Sequence, residues 1–219
     1  MPVIAIVNQK GGTGKTTLST NLAWALAETA PVLLLDADPQ GSALDWYDSQ
    51  KQHPMNLTVV PGDPNHLIQK VRSLASDYRW VIIDGPPGIT KTSADAVRAA
   101  DVVLIPAKAS PFDVWAASDI VEAVKARQQT THGVPKAAFV ITMSRPRTRL
   151  SRQIDNALAE YGLGALQART TERVSYPQAA IEGSSVLEGR DQTARNEILA
   201  IRGELERMCH DTAQQTKSA

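Results

Sequence analysis

The segment from Asn8 to Thr17 constrains the fold of this chain more than any other part of it. It reads Asn-Gln-Lys-Gly-Gly-Thr-Gly-Lys-Thr-Thr and directly follows an apolar run from Val3 to Val7. After it, small and apolar residues recur on one face of a helical pattern from Thr16 to Glu28. A buried strand, a glycine-rich turn and a helix in this order are typical of a phosphate-binding loop. The standard spacing would place the first glycine at position 9, where this chain has Gln9.

The loop predicts a role for each of its residues if a nucleotide binds there. Successive backbone N–H groups would point at the phosphates, and the helix that begins near Gly14 would present its positive end to them. The Lys15 side chain would bind the outer phosphates, and the Thr16 hydroxyl would be a ligand of Mg2+. The alternative is a glycine-rich turn that binds no ligand. The residues expected to contact the nucleotide are Gly11, Gly12, Thr13, Gly14, Lys15, Thr16 and Thr17.

The composition excludes some classes of protein but does not indicate a binding partner. Lys plus Arg and Asp plus Glu number 23 each in 219 residues, so the net charge predicts no polyanionic ligand. The distribution is uneven, because residues 136–173 hold seven basic and three acidic residues. Cys209 is the single cysteine, which excludes a disulfide framework within one chain, and the four histidines lack metal-ligand spacing. Neither a signal pattern nor a membrane-length apolar run occurs, so we expect a cytoplasmic protein.

Short apolar runs alternate with helical patterns along most of the chain. The runs are continuous and rich in Val, Ile and Leu, as is typical of strands buried on both faces. One helical pattern spans residues 113–127 and opens with Asp113 as a capping residue, and a last helix spans about residues 194–209. The six predicted strands are Val3–Val7, Val32–Leu35, Leu57–Val60, Trp80–Ile83, Val102–Ile105 and Ala137–Ile141.

This alternation predicts an α/β fold with a doubly wound, mostly parallel sheet and helices on both faces. We expect a single domain from residue 1 to residue 210. Residues 211–219 are polar and are expected to form a disordered tail.

Three aspartates follow predicted strands at the sheet edge where the phosphate loop also lies. Asp36 and Asp38 follow the second strand, and Asp84 closes the fourth. Ligands bind at the carboxyl ends of the strands in open α/β sheets, so these carboxylates are candidate site residues. Asp84 is the expected partner on the magnesium side, where it would hold a metal-bound water or the Thr16 hydroxyl. The alternative for each is a turn aspartate, since Asp-Pro and Asp-Gly are common in turns.

Three ordered motifs give the chain a resemblance to a known family. Residues 10–17, 36–41 and 83–88 resemble those of the ParA/MinD family of deviant Walker A ATPases, which are P-loop NTPases, and the resemblance extends to about Met208. It implies a slow ATPase that uses ATP and Mg2+. It also implies roles for single residues: Lys10 reaches the nucleotide of the other subunit, Asp38 positions the attacking water, and Asp36 serves the magnesium side with Asp84 and Thr16. Lys10, Lys15 and Asp38 would then carry the catalysis.

Features that the chain has or lacks indicate which branch of the family it resembles. No Asn/Thr-Lys-x-Asp segment typical of GTPases occurs, so adenine is the expected base, and Met143 follows the strand near which the family holds it. Members with an iron–sulfur cluster need two cysteines per chain and are set aside. Membrane-binding members end in a basic amphipathic helix, whereas acidic and basic residues are mixed in the last helix here. No membrane partner is therefore expected.

Arginines of the basic segment indicate the DNA-associated branch of the family. Four of them fall within eight residues that contain no acid, and Arg173 resembles a family arginine implicated in DNA binding by the dimer. Such a patch would bind DNA phosphates without reading bases and would depend strongly on salt. The alternative is a solvated arginine face. The candidate DNA-binding residues are Arg145, Arg147, Arg149, Arg152, Arg169 and Arg173.

The resemblance also implies the partners of such a protein. These are a homodimer that forms on ATP binding, non-specific double-stranded DNA and a ParB-like or McdB-like adaptor that stimulates hydrolysis. It implies a cytoplasmic, nucleoid-associated protein that positions a plasmid, a chromosome region or a protein body such as a carboxysome. Residues 105–113 resemble those of small ParF-like members. The alternatives are a MinD-like ATPase at a membrane surface and a metabolic P-loop enzyme that consumes ATP.

Overall fold

The described strands form one parallel sheet of seven strands. The computed structural model describes the backbone of residues 1–49, 53–145 and 149–218, and the side chains of all of these except 75, 149–153, 155 and 213–218. The strands are β1 (Val3–Ile6), β2 (Val32–Asp36), β3 (Leu57–Pro61), β4 (Trp80–Asp84), β5 (Val102–Lys108), β6 (Lys136–Thr142) and β7 (Gly164–Ala165).

The order of the strands places the motifs at one edge of the sheet. The order is β3-β2-β4-β1-β5-β6-β7, and all of the described pairings between these strands are parallel. Ile6 at the end of β1 is in register with Asp84 on one side and with Leu104 on the other. Asp36 is in register with Asp84. The loop after β1 therefore starts between two strand ends, beside both aspartates.

Helices cover both faces of the sheet and enclose two apolar cores. One core lies between the sheet and the first and last helices, and the other lies on the opposite face. The described helices are α1 (Lys15–Ala27), α2 (Ser42–Asp48), α3 (Leu67–Leu74), α4 (Lys91–Ala99), α5 (Pro111–Trp115), α6 (Ser118–Thr130), α7 (Arg149–Glu160), α8 (Ser175–Ile181) and α9 (Gln192–Ser218), with a 3-10 turn at Ala75–Asp77.

Alternation along each strand explains the two cores. In β1, Ile4 and Ile6 pack with α1 and α9, whereas Val3 and Ala5 face the other layer. Successive side chains of a strand point to opposite faces, so a strand covered on both sides must be apolar throughout. This is why continuous apolar runs identified the strands. The prediction of a doubly wound α/β fold is confirmed, and each of the six predicted runs contains a strand.

Two predictions about helices are wrong. The single helix expected over residues 113–127 is two helices, α5 and α6, and Asp113 lies within α5 instead of capping a helix. The Ala117 N–H donates to Val114 O, three residues back, and this tighter turn ends α5. The last helix, expected over about residues 194–209, spans Gln192–Ser218, and no glycine or proline interrupts residues 204–218.

Candidate nucleotide-binding site

The glycine-rich loop between β1 and α1 has a backbone that turns inward. Gly12 and Gly14 have φ angles of 70° and 88°, which a residue with a Cβ adopts only at a cost. The loop is fastened to the sheet, because the Thr142 hydroxyl at the end of β6 donates to Thr13 O at 2.7 Å. Helix α1 begins at Lys15, so its unpaired N–H groups lie at the loop. This cradle suits the phosphates of a nucleotide.

Lys15 carries the positive charge of the loop. Its Nζ donates to Lys10 O at 3.3 Å, and the residue is 7% exposed. Burial lowers the pKa of Lys15, and the nearby carboxylates of Asp84 and Asp38 oppose that shift. The Lys15 ammonium is therefore partly desolvated. It would attract an anion in the loop more strongly than an ammonium in water would.

Asp84 and Thr16 form a site that fits Mg2+. The Thr16 hydroxyl donates to one carboxylate oxygen of Asp84 at 2.7 Å, and the Ser19 hydroxyl donates to the other at 2.8 Å. Asp84 is fully buried, and this burial raises its pKa to about 7, against the effect of both hydroxyls. A divalent cation would favour the ionised carboxylate, and hydroxyl and carboxylate oxygens are the ligands that Mg2+ prefers.

Asp36 and Asp38 have different surroundings. The Asp36 carboxylate is buried and accepts the backbone N–H groups of Asp38, Ala43 and Leu44 at 3.2, 2.8 and 3.0 Å. Burial raises the pKa of Asp36, and those hydrogen bonds oppose the shift. Asp36 therefore ties the Asp38 segment to the start of α2. Its Oδ1 accepts only the Asp38 N–H, so a role of Asp36 on the magnesium side remains a prediction. Asp38 accepts from Gln40 N at 3.0 Å and is half-buried near Lys15.

Lys10 is bound within its own chain. Its Nζ donates to Asp113 Oδ2 at 2.8 Å, and its side chain is 41% exposed whereas that of Asp113 is 4% exposed. Gly88 N donates to Gln9 O, so the loop after β4 contacts the same segment. The ammonium that precedes the phosphate loop thus lies at the protein surface, with one face open to another molecule.

An apolar cavity of about 280 Å3 adjoins the phosphate loop. Its walls include Gly14, Met143, Tyr176 and Pro177. Met143 has a φ of 50°, and its Cε would be 3.8 Å from a Cβ placed on Gly14. The cavity continues from the loop at the start of α1, where the base of a nucleotide would follow its phosphates. The prediction that Met143 contacts adenine remains a prediction, and the cavity gives it a location.

The candidate DNA-binding arginines are only partly described. Arg145 is exposed and pairs with Glu172 at 2.8 Å, and Arg173 pairs with Asp191 at 2.6 Å. The hydrogen bond to Asp191 raises the pKa of Arg173. Arg169 is half-buried. Arg147 lies outside the described residues, and Arg149 and Arg152 lie in α7 without described side chains.

A second, polar cleft of about 780 Å3 lies between α8 and residues 182–191. One wall is held to α1, because Asn21 Oδ1 accepts Ser185 Oγ at 2.8 Å and Val186 N at 3.0 Å. The same wall is held to α2, because Trp46 Nε1 donates to Ser184 O at 2.9 Å. Adjacent residues of one loop are therefore hydrogen-bonded to α1, which follows the phosphate loop, and to α2, which follows Asp36 and Asp38.

Several residues of the site were missed by the sequence analysis. Ser19 is three residues after Thr16, on the same side of α1, so helical spacing could have indicated it. Tyr176 and Pro177 come from a distant segment, and no local pattern indicates that they wall the cavity.

In the described part of the chain, no group of three or more His, Cys, Asp or Glu side chains could hold a metal. No described helix is both long and apolar enough to cross a membrane.

A phosphate loop after the central strand of a parallel sheet, with aspartates ending neighbouring strands, defines a P-loop nucleotide-binding protein. Residues 4–186 match the family model of the CobQ/CobB/MinD/ParA nucleotide binding domain. The chain belongs to this family, and the predicted relationship to ParA and MinD is confirmed.

Two curated relatives agree with this assignment. The chain is 31% identical over 206 residues to Maintenance of carboxysome distribution protein A of Halothiobacillus neapolitanus, with 92% of this chain and 95% of the relative covered. It is 33% identical over 196 residues to the protein of the same name from Gloeobacter kilaueensis, with 88% and 87% covered.

Solved structures show the same fold at low sequence identity. A McdA–ATP complex from Cyanothece superposes with a TM-score of 0.79 at 21% identity, with 94% of this chain and 96% of that chain covered. The cell division protein MinD of Aquifex aeolicus superposes with a TM-score of 0.76 at 20% identity, with 94% and 97% covered.

Proposed function

We propose that this chain is an ATPase that dimerises on ATP binding, binds non-specific double-stranded DNA and positions a cargo in the cell. The observation that carries the proposal is Lys10, a partly exposed ammonium just ahead of a phosphate loop that already contains Lys15. Lys15 lies within the loop that would hold the phosphates, whereas Lys10 lies at the protein surface and is paired with Asp113. A second copy, facing the first across the loop, would bring the nucleotide within reach of Lys10.

The positions of the described residues support a different role for each of them in ATP hydrolysis. When bound, ATP supplies the phosphoryl group, and Mg2+ neutralises charge on its phosphates. Thr16 and Asp84 would hold the metal, and the loop N–H groups and Lys15 would fix the phosphates. Asp38 lies near Lys15 with a half-buried carboxylate, and it would orient the attacking water. Asp36 would position Asp38 through the backbone N–H of that residue.

A dimer would present two arginine faces to DNA. Arg145 is 77% exposed at its side chain, so DNA phosphates can reach it even though Glu172 pairs with it. Exposed pairs of this kind are weak, and phosphates can compete for the arginine. One copy offers few such contacts, whereas two linked copies bind by avidity, which makes DNA binding depend on nucleotide. The protein would then be cytoplasmic and associated with the nucleoid.

The names of the relatives support a proposal for the cargo and its adaptor. The two described above are named for carboxysome distribution, and relatives at 28% identity are named for chromosome partitioning. We therefore propose a protein body such as a carboxysome, with an McdB-like adaptor that stimulates hydrolysis. A plasmid or chromosome region with a ParB-like adaptor is the second candidate.

The proposal is tested by binding of the protein to non-specific duplex DNA with ATP, with ADP and without nucleotide, at two salt concentrations. Binding should require ATP and should weaken steeply as salt rises, because phosphate contacts release counterions. Lys15→Gln should fail to bind DNA with or without ATP, whereas Lys136→Gln, at the amino end of β6, should behave as the parent protein. DNA binding that ignores nucleotide would refute the dimer switch.

The role of Asp38 has its own test. Asp38→Ala should hydrolyse ATP at least tenfold more slowly while it still binds ATP and DNA, since a group that orients the nucleophile acts mainly in the transition state. Asp45→Ala removes an exposed aspartate of α2 and is the matched control. Turnover by Asp38→Ala at the parent rate would show that another group orients the water.

A further inference from the structure

Lys108 lies at the carboxyl end of β5, beside the phosphate loop. It is in register with Thr142, whose hydroxyl donates to Thr13 O within that loop. A Cβ placed on Gly12 would lie 3.8 Å from Lys108 Nζ. The ammonium of Lys108 therefore lies next to the backbone that would wrap the phosphates.

The strand geometry directs Lys108 to this side of the sheet. Val102 and Leu104 of β5 pack in the core that contains α1. Side chains two residues apart share a face of a strand, so Lys108 continues the row that starts with these two residues. The end of β5 is also fastened to the segment before the loop, because Asn8 Nδ2 donates to Pro106 O at 2.7 Å. Strand pairing and this hydrogen bond thus fix the position of the Lys108 backbone.

The charge of Lys108 is not used by an ion pair in the described part of the chain, where the carboxylate ion pairs involve other cations. Lys10, in contrast, is held by Asp113 at 2.8 Å. Lys108 could therefore turn its ammonium towards an anion without breaking an ion pair, whereas Lys10 could not.

We infer that Lys108 binds the phosphates of the nucleotide held in its own chain, as a second cation beside Lys15. The ligand class is a nucleoside di- or triphosphate, and the contact should be stronger for the triphosphate because it carries more charge. In a monomer, Lys108 would supply positive charge at the loop while Lys10 stays paired with Asp113. The inference rests on nucleotide binding by the phosphate loop and not on DNA binding.

The test compares variants of the full chain in titrations with fluorescent ATP and ADP analogues in the presence of Mg2+. Lys108→Gln should raise the Kd for the ATP analogue by about five- to tenfold and that for the ADP analogue by less. Lys108→Arg keeps the charge and should stay close to the parent protein. Lys136→Gln, at the amino end of β6, is the control for loss of a strand-end lysine. The salt dependence of ATP binding should be shallower for Lys108→Gln than for the parent protein.

Thermal unfolding without nucleotide shows whether each variant is folded, and the half-exposed position of Lys108 should tolerate both substitutions. ATP binding by Lys108→Gln at the parent affinity, or equal weakening in Lys136→Gln, would overturn the inference. Lys15→Gln separates this result from the assignment of the loop. If Lys15→Gln loses ATP and Lys108→Gln does not, only the inference about Lys108 fails. If Lys15→Gln binds ATP normally, the phosphate loop itself has been wrongly assigned.

Discussion

Asp84→Asn should stabilise the metal-free protein near neutral pH, although it removes a residue of the candidate site. The Asp84 carboxyl is fully buried, and this burial raises its pKa from an ordinary value of 3.8 to about 7. The hydrogen bonds from Thr16 and Ser19 and the charge of Lys15 act in the opposite direction but do not cancel the effect of burial. At pH 8 the folded protein must therefore hold a buried negative charge.

The magnitude follows from the difference between the folded and unfolded states. Between pH 4 and 7 the folded protein keeps the Asp84 proton and the unfolded chain releases it, so the free energy of unfolding falls as the pH rises. Each unit of pKa difference corresponds to about 1.4 kcal/mol, which gives about 4 kcal/mol over the whole window. An asparagine cannot ionise, and its amide can still bond both hydroxyls. The variant should therefore match the parent protein at pH 4 and exceed its stability by roughly this amount at pH 8.

Urea unfolding in EDTA, at pH 5 and pH 8, measures this effect as the difference between the two proteins. Between these two pH values, the parent protein should lose about 2 to 3 kcal/mol more than Asp84→Asn. Asp45→Asn, on the exposed side of α2, should follow the parent protein. Added Mg2+ and ATP should reverse the order, because only the parent protein can use the carboxylate to hold the metal. If the parent protein and Asp84→Asn depend on pH in the same way, the Asp84 carboxyl does not titrate near pH 7 and the reasoning is wrong.

Three further predictions concern packing and reactivity. Gly85→Ala should lower the free energy of unfolding by about 1 to 3 kcal/mol, since a Cβ there would lie 2.5 Å from Val7 Cγ1; chemical denaturation measures it. Asn21→Ala should cost about 1 to 3 kcal/mol because it leaves the Ser185 hydroxyl without its buried partner, and unchanged stability in the same assay would contradict this. Burial raises the pKa of Cys209 to about 12, so alkylation by iodoacetamide at pH 8 should be slow when folded and fast in urea.

The phosphate loop and the strands were predictable because their signals are local. Burial on both faces requires continuous apolar runs, and the positive φ angles of the loop favour glycine at Gly12 and Gly14. Asp84 could be placed beside Thr16 because the carboxyl ends of parallel strands share an edge. The structure confirms this juxtaposition, since the Thr16 hydroxyl donates to Asp84 at 2.7 Å.

The remaining features depend on contacts that span the chain. Lys10 and Asp113 are 103 residues apart in sequence, and only the folding of β5 against β1 brings them together. The division of the predicted helix into α5 and α6 was hidden, since Val114 and Ile120 face the same core and keep the pattern of one continuous helix. The apolar cavity is built from residues of α1, β6, α8 and α9 and of the loops beside them, which no single periodic pattern reports.

The loop at Ser184 and Ser185 connects α1 to α2 through hydrogen bonds. Ser185 is bonded to Asn21 of α1, and Ser184 is bonded to Trp46 of α2. Because the two serines are adjacent in the chain, a separation of α1 from α2 would break one of these hydrogen bonds or move the loop. A displacement of the Asp38 segment would thus be transmitted to the wall of the polar cleft, and the indole of Trp46 would report it as a change in fluorescence.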